Sequence, residues 1–446
     1  MKIQKIVLIA TLLAILTQAC DVLNVEPSQS ISAEGAISNA NDLERALMGC
    51  YDGLQSASYY GRDYLIVPDL LADNLDWRGT SQDYGAINNN SLSSDLFLVE
   101  NIWSSIYTVI NRANNALYYL PGVENISDDD LGNYKGELMF VRALCYFDLA
   151  RLFGGVPLRT LPTLDASESL HVARTPQADI YQFVIDELED AYSLILNSQV
   201  GRATPAAAKA LLARAYLYAG DYENAWTAAN DVIENSAYGF SLEDYYGTIF
   251  QEAFSVESIF EIEFNEQDGN RIAQYFAPAP TGRYEFGPYT ELVYSYPEDD
   301  ERLLASIDTT EIESSAVIKY SDVQQGSDNV IVLRFAEMCL IRAEAEANKE
   351  TPVLSSIIAD INEVRERAGI GETDAATLQE LKDEILQQRR LEFAFDGHRW
   401  FDLIRFGKAV EVLPNVTSTN QLLFPIPQTE ILSNNKINQD DQNPGY

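Results

Sequence analysis

Apolar positions repeat at helical spacing through most of the chain. Leu43, Leu47, Tyr51 and Leu54 fall four, four and three residues apart, which predicts a helix over 41–54 with Asn41 near its cap. Ile102, Ile106, Ile110 and Leu117 give the inner side of a helix over 97–120, closed by Pro121-Gly122. A third helix is predicted over 133–153, with Leu138, Leu144, Tyr146 and Leu149 among its apolar positions and Gly154-Gly155-Val156-Pro157 as its stop. Asp128-Asp129-Asp130 precede it and face the positive end of its dipole; they lack the ligand spacing of a calcium loop. Thr175-Pro176 opens a fourth helix, to about Leu196.

From Arg202 the pattern becomes a helical hairpin, 206–219 and a second helix ending near Ile233, joined by Gly220-Asp221-Tyr222. Leu212, Ala213 and Tyr216 before the turn and Ala225 after it are the large, small, aromatic and small positions of a tetratricopeptide unit. Residues 333–348 and 355–368 form another hairpin of similar size, and 133–153 with 178–196 a third with a long insert. Such units bury their apolar faces only against neighbours, so the expected fold is all-α, with tetratricopeptide-like helical hairpins and a loop-rich inserted lobe. Five segments follow: 1–19 as signal, 20–40 as tether, 41–235 as the N-terminal helical part, 236–332 as the insert, and 333–446 as the C-terminal hairpin, brace and tail.

Two stretches lose the helical repeat. Residues 68–79 read as a loop exposing Trp77, running into a polar stretch, 79–94. Within the insert, 259–264 alternates briefly like a strand, and 275–296 is rich in Tyr, Phe, Gly and Pro. Residues 384–407 combine helical apolar spacing with nine charged or titratable side chains, among them Arg389, Asp396, His398 and Asp402. Charges so close to large aromatics should be buried in pairs, as Asp402 and Arg405 can be at a spacing of three. This segment reads as an architectural brace rather than a catalytic cluster.

The charge balance narrows the partners. Thirty Lys plus Arg against 68 Asp plus Glu gives −38, which disfavours nucleic acid and anionic lipid surfaces; a solubilising surface explains it as well. Cys20, Cys50, Cys145 and Cys339 form no metal-ligand pair, and with only His171 and His398 no metal site or cofactor is expected. No Gly-x-Ser-x-Gly elbow, HExxH or phosphate loop is present. Lys2 and Lys5, the apolar run 6–16 and Thr17-Gln18-Ala19-Cys20 read as an export signal. The cut point resembles that of a bacterial lipoprotein, with Thr17 where Leu is preferred, which implies lipid attachment at Cys20 and a membrane anchor.

Three stretches carry a wider resemblance: residues 389–407 (RRLEFAFDGHRWFDLIRFG), residues 141–157 (VRALCYFDLARLFGGVP), and the ending LLFPIPQTEIL…INQDDQNPGY. With the lipoprotein-like start, the chain is similar to the SusD/RagB family of outer-membrane nutrient-binding lipoproteins. The resemblance implies a helical fold with tetratricopeptide-like units, surface anchoring at the outer membrane, and a SusC-like TonB-dependent transporter as partner. It further implies capture and delivery of a glycan, or in some members a peptide, without cleavage. It transfers no individual binding residue.

A sugar binds to a flat aromatic surface flanked by polar groups that satisfy its hydroxyl edges. Two stretches offer that mixture. Trp77 is the candidate platform of the first, with Asp73, Asn74, Asp76 and Arg78 at its edges. Tyr275, Phe276, Tyr284, Phe286 and Tyr289 with Arg283 make the second, and the two are expected to converge. The alternatives are a peptide- or protein-binding nutrient receptor and, less favoured, an all-helical carbohydrate enzyme with two carboxylates across a cleft.

Overall fold

The computed structural model describes residues 37–164 and 171–446; the export signal, Cys20 and the tether through Ser30 lie outside them. The chain is all-α, and among the described residues each strand pairs with one other only, as four two-stranded ribbons. No helix among the described residues is long and apolar enough to cross a membrane.

Successive helices pack on one another in a continuous stack: Phe97–Tyr119, Asp128–Phe153, Gln177–Leu194, Pro205–Ala219, Tyr222–Glu234, Phe335–Ala347 and Leu354–Arg367. The Asp128–Phe153 helix is its central pillar. Ser127 caps it by accepting from the Asp130 N–H, and every residue from Gly136 to Phe153 is buried. All three expected hairpins form, and Gly220 turns the middle one at φ +77°, a left-handed conformation that suits glycine.

Several boundaries differ from expectation. The first helix is Ala40–Leu54, capped by the Asn39 carboxamide, which takes the N–H groups of Asn41 and Asp42. Residues 68–79 are not a loop: Pro68 lies inside a buried helix, Asp63–Leu70, and Leu75–Trp77 is a strand. The polar stretch after them holds a further helix, Gln82–Asn88. The expected helix from 333 starts at Phe335, because Val330–Arg334 is a strand paired antiparallel with Ser258–Ile262. β-Branched Val330, Ile331 and Val332 suit that pairing. Ser258–Ile262 is the alternating stretch of the sequence, yet all five residues are buried, so both of its faces are covered.

The brace consists of Leu378–Glu392, opened by a Thr377/Glu380 capping box, a turn, and Arg399–Arg405. Its charges are buried and paired. Glu392 is fully buried and meets Arg302 at 3.2 Å, Arg334 at 2.5 Å and also Arg367. Burial alone would raise its carboxyl, but the guanidiniums of Arg367, Arg334 and Arg302 hold it well below the usual range. Asp402 meets Arg389 at 2.9 Å and Arg405 at 2.8 Å, the pairing expected from its spacing. Lys319 reaches Asp396 at 2.8 Å.

Candidate functional site

The two singled-out stretches meet. Leu75–Trp77 pairs antiparallel with Phe286–Pro288, in the register Leu75 to Pro288, Asp76 to Gly287 and Trp77 to Phe286. The ribbon is extended at both ends: Arg78 N–H donates to Glu285 O (2.8 Å) and Tyr289 N–H to Asn74 O (3.0 Å).

It stands on the brace. Asp69 accepts from Asn74 Nδ2 (2.5 Å) and from the Gly397 N–H (2.8 Å). Burial pushes its carboxyl up to about 7, against the pull of those two hydrogen bonds. Arg399 and Arg390 clamp Asp73 at 2.7 and 3.0 Å. Burial would raise Asp73, but Arg399 and Arg390 outweigh it and lower the carboxyl.

The side chains divide into those facing outward and those that do not. Phe276 and Phe286 are both 0% exposed. Phe286 lies edge-on to Tyr84, with ring centroids 4.8 Å apart. Neither offers a surface to a ligand, contrary to the sequence reading, because both belong to the core under the ribbon. Asn74 is buried too, spent on Asp69 and Arg390. Tyr275 is 8% exposed, its ring flanked by the guanidiniums of Arg62 (4.5 Å) and Arg283 (4.6 Å).

Trp77, Asp76, Arg78, Tyr284 and Tyr289 are half-buried, and Arg283 is exposed. Trp77 is thus no free loop platform. One part of its ring packs on Gly85, where a Cβ would stand 3.0 Å from it, and its indole N–H is buried without a hydrogen-bond partner. Arg78 lies under the Tyr284 ring at 5.2 Å and ties it to the Pro288 and Ser315 carbonyls, at 3.0 and 3.2 Å. The outcome is a rigid edge of half-open aromatics alternating with charged groups, able to hydrogen-bond hydroxyls and to cover a C–H face.

Asp69 and Gly85 escape the sequence reading as supports, and so does the pairing of the brace residues Arg390 and Arg399 with Asp73. The surplus of arginines in the brace was their one visible signal; their acidic partners lie about three hundred residues away. The brace holds no free acid–base pair in this geometry. His398 is buried against Phe393, ring centroids 4.7 Å apart, and burial followed by nearby guanidiniums depresses its basicity. Among the described residues no group of three or more His, Cys, Asp or Glu is arranged to hold a metal ion.

Stacked helical hairpins bearing a loop-built ribbon define a SusD-like architecture. The comparisons agree. A model of the SusD family matches residues 314–446, and one described as starch-binding associating with outer membrane matches residues 22–217. SusD-like protein P2 of Formosa agariphila is 28% identical, over 100% of both chains. A SusD superfamily protein from Bacteroides vulgatus superposes with a TM-score of 0.82 at 25% identity, covering 91% of this chain and 99% of that one. A laminarin binding SusD-like protein gives the same TM-score, 0.82, and identity, 25%, with 92% and 100% coverage. The chain belongs to the SusD/RagB family.

Proposed function

We propose that this protein is a non-catalytic receptor at the cell surface. Anchored to the outer membrane through a lipid on Cys20, it captures an oligosaccharide and passes it to a SusC-like TonB-dependent transporter. The observation that carries this reading is the ribbon that joins Trp77 to the 284–289 aromatics on a seat fixed by the brace. Family membership supports it, as does the name of the laminarin-binding neighbour. The contacts are assigned to Asp73, Asp76, Trp77, Arg78, Arg283, Tyr284 and Tyr289.

Each aromatic–sugar contact that loses its ring forfeits stacking area worth about 1–2 kcal/mol. Trp77→Ala is therefore expected to weaken glycan binding roughly tenfold or more in calorimetry while melting cooperatively. Unchanged affinity removes Trp77 from the site. Release of shortened products from bound glycan on prolonged incubation contradicts the receptor reading altogether.

A further inference from the structure

Beside the ribbon, between Tyr289 and the turn at Val412–Asn415, lies a pocket of about 300 Å³. Neither the sequence nor the family comparisons assign it. The volume exceeds what one water needs by more than tenfold and suits one sugar ring rather than a chain of them. Its wall joins the proposed capture edge directly, since Asp73 and Tyr289 belong to both.

The polar groups here are fixed before any ligand arrives. Arg390 uses Nε on Asn74 Oδ1 (3.1 Å) and Nη2 on the Asp73 carbonyl (2.7 Å) and carboxylate (3.0 Å). Its Nη1 makes no hydrogen bond to any described residue. Asn90, 8% exposed, gives its amide hydrogen to Leu71 O at 3.1 Å, while its Oδ1 has no donor among the described residues. Glu291 adds an exposed carboxylate, and Val412, 37% exposed, closes the other side with an apolar surface. A half-buried phenol and an aliphatic side chain line the pocket together with a donor and several acceptors, a mixture that suits the weakly polar faces and hydroxyl rim of a pyranose.

Charge selects among sugars. The lining carries two carboxylates, Asp73 and Glu291, against the one guanidinium of Arg390, and the −38 charge of the whole chain adds to that negative balance. A carboxylate or sulfate brought here meets that negative balance, and the one guanidinium in the lining, Arg390, already spends Nε and Nη2 on Asn74 and Asp73. We infer that this pocket is an end subsite, which encloses one neutral sugar unit of the captured oligosaccharide and excludes uronate or sulfated units. The inference rests on the glycan-receptor reading above.

The test uses the purified full-length receptor and a panel of neutral oligosaccharides, laminarihexaose included, beside uronate-containing and sulfated ones. Val412→Trp fills the pocket from a surface position and leaves the Trp77 ribbon untouched; Asn90→Gly removes the unmatched acceptor where φ is +50°, a conformation glycine accepts. For a neutral oligosaccharide bound by the wild type, affinity should fall at least tenfold with Val412→Trp and several-fold with Asn90→Gly, melting being monitored for both. Affinity unchanged in both variants, while Trp77→Ala weakens binding as expected, overturns the subsite and leaves the receptor reading standing. Wild-type preference for the uronate or sulfated members overturns the neutral assignment. Absence of wild-type binding to every member of the panel overturns the receptor reading itself.

Discussion

Gly397 turns the brace at φ +75°, with the Leu65 carbonyl oxygen 2.9 Å from where a Cβ would stand. Its N–H is also the second donor to Asp69. Gly397→Ala meets both strain and contact, and a cost of about 1–3 kcal/mol is expected in urea unfolding. The buried cations carry larger stakes. Arg334 bridges Glu257 at 2.7 Å and Glu392 at 2.5 Å. Arg334→Met leaves two buried carboxylates short of a partner, with an expected loss of roughly 3–5 kcal/mol, read as a drop in the urea midpoint. At this scale the sequence was partly legible. The Asp402–Arg405 pair follows from spacing alone, because three residues along a helix return to one face. The clamp of Arg390 and Arg399 on Asp73 does not follow, since nothing local distinguishes one carboxylate among 68. Trp77 shows the same limit from the other side. Its aromatic character was visible, but its packing on Gly85 depends on a helix hidden in a polar stretch.

Helices were legible where amphipathic spacing ran long, as in Phe97–Tyr119, and also in the pillar, whose apolar positions and glycine stop marked it although burial covers every side of its second half. From Gly136 onward the pillar has no polar face to display a period. Val330–Arg334 was divided between the insert and the following helix, because four apolar residues and an arginine are too short a run to carry a period of their own. Capping belongs to this scale as well. Thr377 accepts from Glu380 N–H while the Glu380 carboxylate takes the Thr377 N–H at 2.8 Å, and Glu380 is held below its usual pKa by backbone N–H groups of Ala376 and Thr377. Thr377→Ala is expected to cost about 1 kcal/mol and to fray the first turn of the Leu378–Glu392 helix, visible as faster amide exchange there.

Across the whole molecule, two buried carboxyls titrate in opposite directions. Asp69, raised by burial to about 7, keeps its proton in the folded protein between about pH 4 and pH 7, where an unfolded carboxyl has lost it. Its contribution to stability is therefore complete below about pH 4 and declines as pH rises through 7. Glu392, lowered by its guanidiniums, contributes in the other direction and weakens the fold as acidity increases. Asp69→Asn is expected to flatten the decline between pH 4.5 and 7.5 in denaturant midpoints and leave the strongly acidic limb in place. The ribbon itself has a temporal consequence. Leu75–Trp77 is made early, its partner Phe286–Pro288 some two hundred residues later, and the arginines that seat it later still. A chain made in order from its N-terminus cannot finish this face until its last hundred residues exist, so the ribbon is seated only after most of the helical stack has been made.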